Sequence, residues 1–264
     1  MAATTTSKNI GDRLIAIAKK KSDTPDNALS IFLDHCIKAF DISKAQNNEN
    51  YNSWVKDVLS TDTDYTEIII EWMEQVNKSL RRGEPFDFFG TTYEEMFQFK
   101  GKASSTGQFF TPMSLSFLMG MITDKDCTQP QKNVKVYDDC CGSGRLLLGH
   151  VYQRRHNPTE ANKHTYTYLA DDIDIISCKM TALNLMAHCC YGCVACRDVL
   201  LNEIPHTIYI VNETQVPKFN PVMSIRTLKG DKAKVFWESG GVERLSDIYD
   251  ITDEQYGEVI KTLI

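Results

Sequence analysis

Residues 134–148 constrain the fold of this chain more than any other segment. Val134-Lys135-Val136-Tyr137 reads as a short apolar strand and ends in an acid, Asp138. Asp139-Cys140-Cys141-Gly142-Ser143-Gly144 follows at once, and Arg145-Leu146-Leu147-Leu148 reads as the start of a helix. Glycine at 142 and 144 lets the backbone turn sharply and leaves room for a ligand against the amides of the helix N-terminus. Leu147 stands where the dinucleotide fingerprint G-x-G-x-x-G has its third glycine, so this is not a standard dinucleotide loop.

The same pattern of strand followed by helix continues downstream. It predicts strands at 134–138, 166–171, 193–197 and 206–212, and helices at about 112–122, 144–155 and 174–189. Such alternation argues for a doubly wound, mostly parallel α/β sheet, with ligands at the carboxyl ends of its strands. Asp138, Asp172 and Asp198 close the first three strands.

Upstream, residues 8–100 read as helices. Ala28, Ile31, Phe32, His35, Cys36, Ala39 and Phe40 share one helical face, as do Ile69, Trp72, Met73, Val76 and Leu80 before Arg81-Arg82-Gly83. Thr92 with Glu95 suggests a capping box opening a short helix. Residues 44–52 read as a polar loop, and 252–264 as a short amphipathic helix. The chain divides into a helical N-terminal domain, 1–106, and an α/β domain, 107–264.

Composition narrows the setting. Hydrophobic residues make up 42% and charged residues 24%, the range of an ordinary globular protein. No apolar run approaches membrane-spanning length and the N-terminus has no apolar signal core, so a cytoplasmic protein with no membrane contact is expected. Nine cysteines, including the adjacent pairs Cys140-Cys141 and Cys189-Cys190, suit a reducing compartment. His188, Cys189, Cys190, Cys193 and Cys196 are dense enough to raise zinc. A strand, however, would point Cys193 and Cys196 to opposite faces, which favours core packing and no metal. Lys plus Arg against Asp plus Glu is 13 to 16 in residues 1–106 and 16 to 19 in 107–264, for a net charge of −6. Neither half is basic, so grip on a nucleic acid would need a partner.

The motifs add an ordered set: Gly107-Gln108-Phe109-Phe110-Thr111-Pro112, then Cys141-Gly142-Ser143-Gly144, then Asp171-Asp172-Ile173-Asp174, then Asn184-Leu185, then Arg197-Asp198-Val199-Leu200. Over roughly residues 92–200 this set resembles the adenine-specific DNA methyltransferases, in particular the modification subunits of type I restriction systems. The resemblance implies an S-adenosylmethionine-binding fold acting on DNA, with a separate specificity or partner subunit. On that reading Phe110, Thr111 and Pro112 cover the cofactor, and Asp138 holds its ammonium. Gly142, Ser143 and Gly144 let the backbone approach it. Asp172 accepts the ribose hydroxyls, Ile173 packs on the adenine and Asp198 accepts the adenine amino group. Several carboxylates in one cleft suit a cationic ligand and would repel a pyrophosphate.

One part departs from the family. These enzymes carry [D/N/S]-P-P-[Y/F/W] after the fourth strand, where carbonyl acceptors hold the amino group of a flipped adenine and the ring stacks on it. The nearest match is Phe219-Asn220-Pro221-Val222-Met223, which lacks the second proline and the aromatic ring. The strand at 206–211 ends instead in Asn212-Glu213-Thr214. The 41 residues after Met223 are too few for the remaining strands and a target-recognition domain. Two expectations follow. One is methyl transfer to the adenine amino nitrogen with Asn220 and Pro221 in the catalytic loop. The other is a catalytically inactive relative serving as a binding or regulatory partner.

Overall fold

A computed structural model describes residues 3–41, 63–97, 111–123, 134–156, 166–213 and 223–245. Phe110, Asn220, Pro221, the loop 44–52 and the helix expected at 252–264 lie outside the described residues. Among the described residues four helices come first: α1 (Ala3–Lys20), α2 (Pro25–Ala39), α3 (Thr63–Arg82) and α4 (Phe88–Phe97). Then follow α5 (Met113–Thr123), β1 (Val134–Asp138), α6 (Arg145–His156), β2 (Tyr166–Asp172), α7 (Ile175–Ala187) and β3 (Gly192–Cys196). The chain continues with β4 (Thr207–Val211), β5 (Ile225–Lys229), α8 (Asp231–Glu238) and α9 (Gly241–Leu245).

The helix ends follow local chemistry. Thr24 caps α2, its side chain accepting from the Asn27 amide, with Pro25 at the first helical position. Gly83, at φ 69°, stops α3 after Arg82 in a left-handed conformation that glycine adopts freely. α4 starts four residues before the expected capping box. Asp87 precedes it and accepts from the Gly90 amide at 2.8 Å, while Thr92 lies inside the helix and bonds back to the Phe88 carbonyl.

The sheet has the order β1-β2-β3-β4-β5. β1, β2 and β3 pair in parallel, whereas β4 pairs antiparallel with both β3 and β5. Four strands thus run one way and β4 alone runs against them, so the sheet is mostly parallel, as expected. Among the described strands the order never reverses, so the doubly wound order is not seen there, and β4 turns back antiparallel. The cause lies in residues 197–206. A parallel return needs a crossover of a dozen or more residues, usually a helix, and this connection is shorter and carries none.

α7 is buried along its length from Ser177 to Ala187, because it lies between the sheet and the N-terminal helices. One hydrophobic core runs from Leu14, Phe32 and Trp72 through Leu183 and Met186 to Tyr168, Val194 and Tyr209. A second core, with Cys193, Ile208, Ile210 and Leu228, is covered by α8 and α9 on the opposite face. α5 lies directly on α6. A Cβ at Gly149 would sit 2.0 Å from the Ser116 carbonyl oxygen, and one at Gly120 would sit 2.4 Å from that of Gly149.

Candidate cofactor site

The parallel register of β1, β2 and β3 brings three strand ends together, with Asp138 beside Ala170 and Asp172 beside Cys196. The glycine turn lies across these ends. Asp172 holds it from below: one carboxylate oxygen accepts from the Gly142 amide at 2.9 Å, the other from the Asp174 amide at 2.9 Å. The Cys141 amide bonds the Asp171 carbonyl at 3.0 Å. Gly142 at φ 54° and Gly144 at φ 85° occupy conformations that side chains disfavour, which is why glycine recurs here. A Cβ at Gly144 would also press on Thr181, whose hydroxyl donates to the Gly142 carbonyl at 2.9 Å.

Asp138 is the member of this set with spare capacity. Its Oδ1 accepts from the Cys140 amide at 3.3 Å, while Oδ2 is buried and has no hydrogen-bond partner among the described residues. Burial pushes its pKa up. The Cys140 amide partly counters this, and the nearby Asp139 and Asp172 carboxylates add to the rise. Burial likewise raises Asp172, with backbone amides pulling the other way. Asp138 lines a cavity of about 390 Å³ with Met119, Leu146, Leu147 and His150. A crowded set of carboxylates with one unsatisfied buried oxygen favours a cation.

The other expected residues are placed as follows. Ser143 is buried, and its hydroxyl donates to the Asp87 carboxylate at 2.6 Å. Ile173 is 69% exposed beside the turn. Asp198 lies two residues beyond β3, and its carboxylate accepts from the Leu201 amide at 3.1 Å, capping the turn that follows. The Thr111 carbonyl accepts from Arg145 at 3.2 Å, and the Pro112 carbonyl opens α5 by accepting from the Leu115 amide. Tyr137 and Arg197 meet on the Asp171 carboxylate, Arg197 at 2.7 Å.

The residues missed by sequence reasoning are Asp87, Glu94 and Arg145. Asp87 is fully buried and receives Arg145 Nε at 2.5 Å and Asn184 Nδ2 at 2.7 Å. Arg145 also forms a two-pronged pair with Glu94, at 3.0 and 2.7 Å. Burial alone would lower the Arg145 pKa, but the two carboxylates raise it instead.

The cysteine cluster is dispersed. Cys193 and Cys196 fall into different cores on opposite faces of β3. His188 spends its ring on the Asn184 carbonyl at 2.7 Å and the Phe86 amide at 3.0 Å. Among the described residues no group of three or more His, Cys, Asp or Glu could hold a metal ion, and no helix is long and apolar enough to cross a membrane.

The fold and site define an α/β protein with a glycine turn across parallel strand ends. Residues 84–208 match the family model described as N-6 DNA Methylase, so this span is similar to that family. No curated protein matches the chain. Among solved structures it is similar to the type I restriction-modification system methyltransferase subunit from Streptococcus thermophilus, at 14% identity and a TM-score of 0.31. The match covers 77% of this chain and 54% of that protein, so the chain spans about half its length.

Proposed function

We propose that the chain binds S-adenosylmethionine at the glycine turn and belongs to an adenine-modifying, restriction-type methyltransferase system acting on DNA. The observation that carries this reading is the unsatisfied buried Oδ2 of Asp138 at the end of β1, within a cavity and beside further carboxylates. When bound, the cofactor supplies a methyl group on a sulfonium. Asp138 receives its ammonium, and Asp172 keeps lone pairs for the ribose after bonding Gly142 and Asp174. Ile173 offers an exposed aliphatic surface for the adenine, with Asp198 as the acceptor for its amino group. Thr111 and Pro112, with Phe110, form the covering segment. DNA is the macromolecular partner, held with a second subunit because neither half of the chain is basic. The division into 1–106 and 107–264 and a cytoplasmic location belong to the same reading.

Calorimetric titration with S-adenosylmethionine tests it. The unaltered chain binds saturably, and Asp138→Ala loses about 1.5–3 kcal/mol, as for a hydrogen bond to a charged group. A bound ammonium favours the ionised carboxylate, so affinity falls as pH drops through the raised pKa of Asp138. Absence of saturable binding at millimolar cofactor would overturn the assignment.

A second reading, a catalytically inactive relative that binds cofactor and serves as a partner, is favoured by the direction of β4. Its carboxyl end lies at the amino end of β3, away from Asp138 and Asp172. A methyl-transfer assay on unmethylated DNA separates the two readings.

A further inference from the structure

We infer that Asp87 is a positioning residue for the cofactor loop, bracing the glycine turn in addition to the strand-end acids. This inference rests on reading that turn as the cofactor site. Asp87 has no exposed surface, and its carboxylate serves four donors from three parts of the chain. Gly90 N (2.8 Å) and Asn184 Nδ2 (2.7 Å) bond one oxygen, and Ser143 Oγ (2.6 Å) and Arg145 Nε (2.5 Å) bond the other. Asn184 also donates to the Ser143 carbonyl at 2.8 Å. The turn is therefore gripped through both the side chain and the backbone of Ser143.

Two further contacts extend this brace. Arg145 carries it to Glu94 on α4 and to the Thr111 carbonyl, so the same guanidinium fixes the start of the covering segment. Gly90 lets α4 come close enough. A Cβ there would lie 2.1 Å from Asp87 Oδ2 and 2.4 Å from Ser143 Oγ. A carboxylate is the group this position needs, since it accepts at both oxygens and donates at neither. An amide would turn an N–H toward Arg145 Nε or Asn184 Nδ2, which can only donate. The consequence is preorganisation: a ligand meets a turn already set, and little ordering accompanies binding.

The test uses the full chain, with hydrogen exchange of the amides in residues 140–148 followed without ligand and S-adenosylmethionine binding measured by calorimetry. Asp87→Asn raises exchange selectively in this turn and weakens cofactor binding about tenfold, equivalent to losing one charge-assisted hydrogen bond. Ser143→Ala, which removes a single bond, moves both readouts in the same direction by less, and carries the test if Asp87→Asn does not fold. Val76→Ala, a core truncation in α3, lowers the thermal midpoint without a selective rise in the turn. Exchange in the turn that is unchanged, or that rises only as much as in Val76→Ala, overturns the positioning role. Selective exchange with no saturable binding by the unaltered chain upholds the brace and overturns only the cofactor reading.

Discussion

Val211, the last residue of β4, pairs with Gly192, the first residue of β3. β3 spans four residue steps from there to Cys196, which lies beside Asp172. At a rise of ~3.3 Å per residue the two ends of β3 are separated by about 13 Å. The turn after β4 is fixed at the far end by Asn212, a left-handed residue at φ 55°. Its side-chain amide donates to the Met186 and Cys190 carbonyls at 3.0 and 2.7 Å, and its oxygen accepts from the Ser224 amide at 3.0 Å. Asn212 is thus occupied in joining α7, β4 and β5.

Contact between α5 and α6 yields the first prediction. The two backbones touch at Gly120 and Gly149, so a methyl group has nowhere to go. Gly149→Ala costs about 1–3 kcal/mol, the usual range for overpacking. The shift in urea midpoint measures it, and a change within about 0.5 kcal/mol, the range of a surface substitution, would show that the helices separate freely.

Acid lability is the second. His188 and His150 are buried, and burial lowers each pKa to about 4, with Arg155 and Arg154 respectively adding to the effect. Each histidine is neutral when folded and takes up a proton on unfolding below its ordinary value. Their contribution is therefore present above pH ~6.5 and is lost as pH falls from there through about 4. By pH 5 the loss is on the order of 2 kcal/mol for each. The raised carboxyls of Asp138, Asp172 and Glu213 act with opposite sign, because the folded chain takes up these protons at a higher pH than the unfolded chain does. Denaturant midpoints taken from pH 7.5 to 5 should fall steadily, and a flat profile would contradict burial of these rings.

What the sequence revealed was mostly local. The first four strands sit within a residue of their expected ends, and the glycine turn joins β1 to α6 as read, because period and turn chemistry act over a few residues. The buried stripe of α2 was read too narrowly. Leu29, Leu33 and Ile37 are buried while Ile31 is 38% exposed, since α2 packs on α1 and α7 at once. β5 was missed because buried Arg226, paired with Glu213, interrupts its apolar alternation. Asp87 was missed for another reason. Its partners Ser143 and Asn184 are 56 and 97 residues away, and no periodicity reports such a meeting.

DNA affinity is the third prediction. With 29 basic against 35 acidic residues, few phosphates can be neutralised. The chain alone should bind duplex DNA near the non-specific range, ~10⁻⁴ to 10⁻⁶ M at physiological salt, with a shallow salt slope. Fluorescence anisotropy with unmethylated duplexes checks this. A nanomolar, sequence-selective complex would remove the need for a second subunit.

The last prediction concerns methyl transfer by the chain alone. A flipped adenine needs acceptors at its amino group and a flat surface on its face. Val222 and Met223 stand where the family has proline and an aromatic residue, so stacking worth ~1–3 kcal/mol is forgone. The loss of a proline leaves the segment less preorganised. Topology acts in the same direction. Glu213 and Met223 flank this segment, and the pairing of Val211 with Gly192 and Ile225 sets its anchors at the end of the sheet remote from Asp138 and Asp172. Each ~1.4 kcal/mol withheld from the transition state slows the step tenfold. The chain should therefore bind cofactor while transferring methyl groups to DNA very slowly or not at all. Transfer from radiolabelled S-adenosylmethionine to unmethylated DNA measures this directly. Turnover near or above one per minute, on the order expected of a slow but genuine enzyme, and abolished by Asn220→Ala, would establish a working catalytic loop and exclude the inactive reading.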